Sequence, residues 1–422
     1  MKSVCMLLLF AANLSLVPAY AGDLKPAPVF QPIPGIVVPM GGAVRGDNHA
    51  LRQRLVDLAG GKDARFVVIP TSSGNPVATG EGAARELRRR GAQVEVLRIA
   101  PTWPGDNLES ARRAAADPAN VARIRAATGV YFTGGAQERY ADVLNPDGVA
   151  SPVLQAVREL QARGGVVAGT SAGAAIMSRV MFRDAPSSLK VLRGTLRDGM
   201  EVERGLGFAG DELFIDQHFL KRGRIGRMLG AMLAKGYKIG LGVDENTAAV
   251  IRGTDIEIVG ATGALLIDLR DATVGPGPVN VLNVRVSYLD NGDHYDLALA
   301  QASVAHVKRA TGELKFRQPG FEPGFDNPRL AYADMLGENA VQRALAQLVD
   351  GPNEQVTGLA FDPLPQAGES AADLGFEFVL RRDERTRAWD SAGIDGKDYS
   401  VFDARLDVRP VRITAPLYKA WR

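Results

Sequence analysis

Cysteine is almost missing from this chain: one occurs in 422 residues, Cys5. It falls in a stretch laid out like an export signal. Met1-Lys2 is a positive start, Val4 to Val17 an apolar run too short to span a bilayer, and Ala19-Tyr20-Ala21 a small-x-small cleavage site. Cleavage after Ala21 is expected, which leaves a mature chain without disulfide, thiol nucleophile or thiol ligand. Cys5 lies upstream of the small residues, not directly after them, which argues against a lipid anchor. No second apolar run approaches transmembrane length. Histidine is scarce too: His49, His218, His294 and His306 are the four, and none has the paired spacing that zinc requires. No metal or other cofactor is expected. Net charge of either sign is lacking, at +2 for the whole chain, of which Lys2 leaves with the leader. Such balance gives no reason to expect nucleic acid or an anionic membrane as partner. The leader implies a secreted protein, extracellular or periplasmic.

What is present is enough for a large core, with 46% hydrophobic and 23% charged residues. After the signal (1–21) comes a proline-rich leader (22–34). Strands then alternate with helices. Strands read at Gly35 to Pro39, Arg65 to Pro70, Gln93 to Ile99 and Gly129 to Phe132; helices read from a cap near Asp47 or Asn48, at Gly80 to Arg90, Ser110 to Ala127 and Ser151 to Arg163. This order implies an α/β fold with a doubly wound, mostly parallel sheet and helices on both faces. Gly41-Gly42 lacks the spacing of a dinucleotide fingerprint and reads as a strand-to-helix turn. Beyond Leu241 the texture becomes strand-like, and Val281 to Asp290 with Asp293 to Leu299 reads as a hairpin through Asn291-Gly292. There is no internal repeat. The α/β unit is read as 35–300 and a β-rich C-terminal extension as 301–422. Trp103, Trp389 and Trp421 read as packing anchors.

The most informative stretch is Gly169-Thr170-Ser171-Ala172-Gly173, between the apolar run Gly164 to Ala168 and the helix-prone Ala174 to Met177. A serine on a sharp strand-to-helix turn needs small neighbours, and its hydroxyl stands clear of the sheet. The backbone N–H of Ala172 then faces a developing oxyanion, and Gly135, in the turn Gly134-Gly135, is the candidate second donor. A serine at its ordinary pKa needs a base. His49 fits a first helical turn, His294 a turn-rich segment and His306 a charged surface stretch. His218 ends the apolar run Glu212 to Phe219, where functional side chains gather in open α/β sheets. The orienting acid comes from Gly240 to Ala248, another apolar strand ending in carboxylates. Alternation sends Asp244 and Glu245 to opposite faces, so only one of them can serve His218.

Four segments together resemble the cyanophycinases, serine peptidases related to aspartyl dipeptidases and sharing a core with class I glutamine amidotransferases. They are Phe132-Thr133-Gly134-Gly135-Ala136-Gln137, Gly169 to Ala174, Asp216-Gln217-His218-Phe219 followed by Arg222, Arg224 and Arg227, and Val243 to Ala248. Their order and spacing follow the family core over roughly residues 33–300. The resemblance implies Ser171 as nucleophile, His218 as base and Glu245 as third member. It also implies a substrate pocket lined by Gln137, Asp216, Gln217 and the three arginines. The implied substrate is cyanophycin, a polyaspartate carrying arginine on each β-carboxyl, and the product is the β-aspartyl-arginine dipeptide. Free carboxylates in such a polymer call for guanidinium forks, and a substrate arginine calls for a carboxylate such as Asp216 or Glu138. Two other readings stay open: an α-aspartyl dipeptidase, and a secreted binding protein with an inactive amidotransferase-like site. The oligomeric state is not fixed by the sequence, which allows a homodimer.

Overall fold

The computed structural model describes residues 30–414 and 417, except 185, 327, 328, 330, 366–370, 394 and 395. The expected signal segment and most of the proline-rich leader, with Trp421, lie outside the described residues. Nine strands form the first sheet. Five of them, in the order Ile33–Met40, Val166–Thr170, Gly129–Phe132, Arg65–Ile69 and Gln93–Val96, run parallel. Alternating side chains serve opposite faces. Val37, Val67, Val130 and Val167 pack with helices Leu108–Ala116, Pro118–Ala126 and Pro152–Ala162. Val38, Phe66, Val166 and Ala168 pack with helices His49–Leu58 and Pro76–Arg88. Asn48 caps the first of these helices through its side chain. Beyond Ile33–Met40 the sheet is extended by antiparallel strands Thr247–Gly253, Asp255–Gly260, His294–Asp296 and Gln301–Ser303.

A second sheet begins with Leu213–Asp216 parallel to Ile239–Val243 and continues antiparallel through Ala264–Asp268 and Val281–Leu289. The β-rich extension enters this sheet directly, because Gly396–Arg412 pairs with Val281–Leu289 and then with Leu374–Arg381. Sheet pairing thus runs across residue 300. Helices Ile225–Lys235 and Ala340–Val349 share one apolar cluster with these strands. Trp389 is buried against Phe402, ring centroids 5.2 Å apart, and Trp103 is half-buried.

Two expectations are corrected. The helix read over Ser110 to Ala127 is two helices broken at Asp117, whose extended backbone (ψ 121°) is what a residue before proline prefers, and whose side chain caps Ala119 N–H. The hairpin through Asn291-Gly292 does not form. Val281–Leu289 stays in the second sheet while His294–Asp296 joins the first. The turn is instead held by a buried polar cluster: Asp293 accepts from Asp290 N–H and Ala305 N–H, and Lys308 pairs with Asp290. Local turn chemistry set the bend but not the partners.

Candidate active site

The carboxyl ends of the parallel strands of both sheets converge on one point. Ser171 N–H donates to Met40 O (3.0 Å), His218 N–H to Gly41 O (2.8 Å), and Gly41 N–H to Thr247 O (3.0 Å). Ser171 follows Val166–Thr170 with φ 53° and ψ −114°, a strained conformation at the turn into the short helix Ala172–Ala175. The flanking glycines are sterically required. A Cβ on Gly169 would lie 2.2 Å from Gly173 O, and one on Gly173 would lie 2.4 Å from Phe132 O. As the first helical residue, Ala172 has no acceptor within its helix for its N–H. Gly134 lies against Ser171, where an added Cβ would sit 3.1 Å from the serine Cβ. Gly135 has φ 147°, and a side chain there would strike Ser72 O at 2.1 Å.

His218 is 6% exposed. Its Nε2 lies 2.9 Å from Ser171 Oγ and its Nδ1 2.6 Å from Glu245 Oε1. Burial pulls the imidazole below its ordinary value; the Glu245 hydrogen bond opposes this, and the charges of Arg222 and Arg224 reinforce it. Asp244 is turned elsewhere, accepting from Lys221 N–H at 3.0 Å, and burial raises its carboxyl. Asp216 is engaged as well. Its two oxygens receive Arg227 Nε (2.7 Å) and Nη2 (2.5 Å), and Arg224 Nη1 stands 3.6 Å away. Burial would raise Asp216, but the two guanidinium groups outweigh it and hold the carboxyl below the usual range.

The other residues singled out in the sequence have different surroundings. Arg222 is exposed, whereas Arg224 and Arg227 are buried. Arg224 donates to Gln217 O (2.7 Å), and burial lowers its pKa to about 9. Arg227 stacks over Phe182, 4.4 Å from the ring centroid. All three arginines nevertheless border one cavity of about 380 Å³, with Ser187 and Ser188 on its other side. Gln217 is buried, and its Oε1 has no hydrogen-bond partner among the described residues. Gln137, at the start of helix Glu138–Leu144, donates its amide to Phe182 O (2.8 Å) and Asp184 O (3.3 Å), so it holds the segment beside Arg227. A second cavity, about 440 Å³, opens from Ser171, His218, Gly134 and Gly135 between apolar side chains of helices His49–Leu58 and Pro76–Arg88.

Sequence reasoning missed the work of Gly41-Gly42. A Cβ on Gly41 would fall 1.9 Å from Asp244 O; one on Gly42 would fall 2.3 Å from His218 Cε1. The pair is more than a turn: it lets the strand end carrying Glu245 and the imidazole approach Ser171. Asn246, at φ 56°, ties the same corner together by accepting from Arg45 N–H (3.0 Å) and Asn48 Nδ2 (3.0 Å). Gly42→Ala should therefore displace the imidazole and, if that ring takes part in the chemistry, reduce kcat by about 100-fold or more, because a 1 Å displacement of a reacting group costs that much. It also places alanine at φ 106°. Near-wild-type kcat would show that the ring has room to move.

The model for Peptidase family S51 matches residues 37–259. The cyanophycinase of Trichormus variabilis is 32% identical over 250 residues, covering 57% of this chain and 77% of that relative. The cyanophycinase of Thermosynechococcus vestitus is 31% identical over 281 residues, 63% of this chain and 80% of the relative. Among solved structures, a peptidase from an acI-B1 Actinobacterium aligns with 55% of this chain and 89% of its own at 22% identity and a TM-score of 0.41. The family match spans both strand ends that meet at the site, and the chain belongs to peptidase family S51, a serine-type family, with cyanophycinases among its relatives.

Proposed function

We propose that the protein hydrolyses cyanophycin to β-aspartyl-arginine dipeptides with Ser171 as nucleophile, His218 as base and Glu245 orienting the imidazole. The observation that carries this reading is the hydrogen-bonded series Glu245, His218, Ser171 beside a cavity bordered by three arginines. Ser171 Oγ attacks a backbone carbonyl of the polyaspartate while His218 Nε2 takes its proton. The N–H groups of Ala172 and Gly135 receive the oxyanion. His218 then returns the proton to the leaving amine, and water resolves the acyl-enzyme by the reverse route. Glu245 holds the tautomer that leaves Nε2 free to accept.

The arginine cavity is the subsite for substrate carboxylates. Arg222, exposed, makes the direct fork, while Arg224 and Arg227 form its wall, Asp216 and Gln217 hold those two arginines from behind and Gln137 braces the neighbouring segment. The catalytic unit is residues 35–300, extended by strands from 301–422. The leader Met1 to Ala21 supports action outside the cytoplasm.

The test is to incubate the purified protein with insoluble cyanophycin and identify soluble products by mass. A β-aspartyl-arginine signal is expected. A preference for short α-aspartyl peptides with no release from the polymer would replace this reading by the dipeptidase one. Arg222→Gln should raise KM for cyanophycin about tenfold, as loss of one charge-assisted fork does, with little change on a neutral activated ester. Equal loss on both substrates would mean that Arg222 supports the triad.

A further inference from the structure

Apart from both cavities at the site lies a larger one, about 1110 Å³, bordered by six basic and five acidic side chains. It runs between the turn Asn145 to Gly148, following helix Glu138–Leu144, and the strand pair Val180–Phe182 and Val202–Arg204. None of its lining residues belongs to the Ser171 cavity or the arginine cavity. At this volume it exceeds the ~300–1,000 Å³ typical of a small-molecule pocket and suits an extended segment.

Internal pairing does not exhaust its charges. Arg183 bridges Glu203 and Asp142, the latter at 3.4 Å. Arg158 and Arg204 have no carboxylate within ion-pair distance among the described residues, and Arg158 makes only a 3.3 Å bond to Leu206 O. Asp147, in the turn whose Gly148 lies against the Arg204 guanidinium, is also without an ion pair there. Glu203 is spent on Arg183, and its other oxygen is buried away from the cleft, without a hydrogen-bond partner among the described residues. Two guanidinium groups and the Asp147 carboxylate are therefore left over along one cleft. A purely cationic ligand would meet repulsion from the two arginines and a purely anionic one from Asp147; a chain alternating carboxylate and guanidinium would meet neither.

The cleft also adjoins the arginine cavity. Arg183 borders the first and Pro186 the second, three residues apart, a separation of at most about 11 Å along the chain. Phe182 stands between them, with Arg227 stacked on its ring and Gln137 bonded to its carbonyl.

The geometry points to a second binding site: the cleft holds a zwitterionic stretch of polymer beyond the one being cut, with Arg158 and Arg204 on its carboxylates and Asp147 on a guanidinium group. This inference rests on the proposed substrate. Its effect is retention, since a second contact raises the effective concentration of polymer at the serine without touching chemistry.

The experiment uses the full chain. Retention on insoluble cyanophycin is measured by sedimentation with Ser171→Ala, alone and combined with Arg158→Gln and Arg204→Gln. In the active background, kcat and KM are compared on cyanophycin and on a soluble substrate two β-aspartyl-arginine units long. Removing both guanidinium groups should weaken retention by about tenfold or more and raise KM for the polymer similarly, with kcat and KM on the short substrate within about twofold. Unchanged retention overturns the site; a parallel loss on the short substrate overturns it too, as the mark of a structural role. Retention is read without hydrolysis. If the enzyme does not cut cyanophycin, the substrate reading fails by itself, and the cleft still stands or falls on whether Ser171→Ala binds the polymer through these two arginines.

Discussion

Ser171→Ala should lose hydrolysis by about 10⁴–10⁶-fold while melting within a few degrees of the parent chain. Alanine fits the same cramped turn, where Gly169 and Gly173 touch backbone on either side, and only the oxygen 2.9 Å from His218 Nε2 disappears. His218→Ala should be comparably inactive, because an unactivated hydroxyl is a poor nucleophile, and the double variant should be no worse than either single one. Additive losses would mean that the two side chains do not act as one unit. The pH profile offers an independent check. As the proposed base, His218 would have to be neutral to accept a proton, and burial with two nearby arginines lowers its pKa, so the acid limb of kcat/KM should fall below the ordinary imidazole value of about 6.5. Activity is lost as pH drops through that limb and is full above it. Arg222→Gln removes one opposing charge, so the limb should move upward, most visibly at low salt. A limb that stays in place in the variant would separate Arg222 from the imidazole electrostatically.

Asp216→Asn should destabilise the fold by about 3–5 kcal/mol, read as a lower denaturant midpoint. Arg227 is 2% exposed, and its two hydrogen bonds to Asp216 are its ionic compensation; Arg224, 5% exposed, leans on the same carboxylate. An isosteric amide leaves two buried cations without a counter-charge. Replacing all three groups by apolar residues, Asp216→Leu with Arg224→Met and Arg227→Met, should recover most of the loss, since buried ionic groups exchanged for packed apolar ones are commonly near neutral. The contrast discriminates sharply. If Asp216 served only as a ligand for a substrate guanidinium, Asp216→Asn would raise KM and leave the denaturant midpoint where it was. The sequence pointed to Asp216 as a pocket carboxylate; its burial and bidentate pairing make it first the counter-charge that holds the arginines of the wall.

Some elements were legible because their signals are local. The strand Val166–Thr170 and the turn at Ser171 follow from an apolar run meeting small residues, and the close backbone contacts of Gly169 and Gly173 explain why those residues are there. Strand Gly129–Phe132 and helix Pro152–Ala162 fell within a residue or so of expectation for the same reason. His218 stood out through scarcity, as one of four histidines. Pairing partners were not legible. The Asn291-Gly292 turn promised a hairpin, yet its arms belong to different sheets, since a turn specifies direction over a few residues while burial over the whole molecule selects the neighbour.

The sequence by itself determined the α/β character, the small-residue turn that lifts Ser171 from the sheet, and the short list of residues able to act with it. These depend on periodicity and on steric demands between chain neighbours. Only the tertiary structure decided that Glu245, not Asp244 or Asp216, faces the imidazole, that Gly41-Gly42 clears space for it, and that Arg224 and Arg227 are buried while Arg222 is exposed. Each of those facts depends on where the strand ends of two sheets meet, and that meeting is set by core packing among residues distant in the chain.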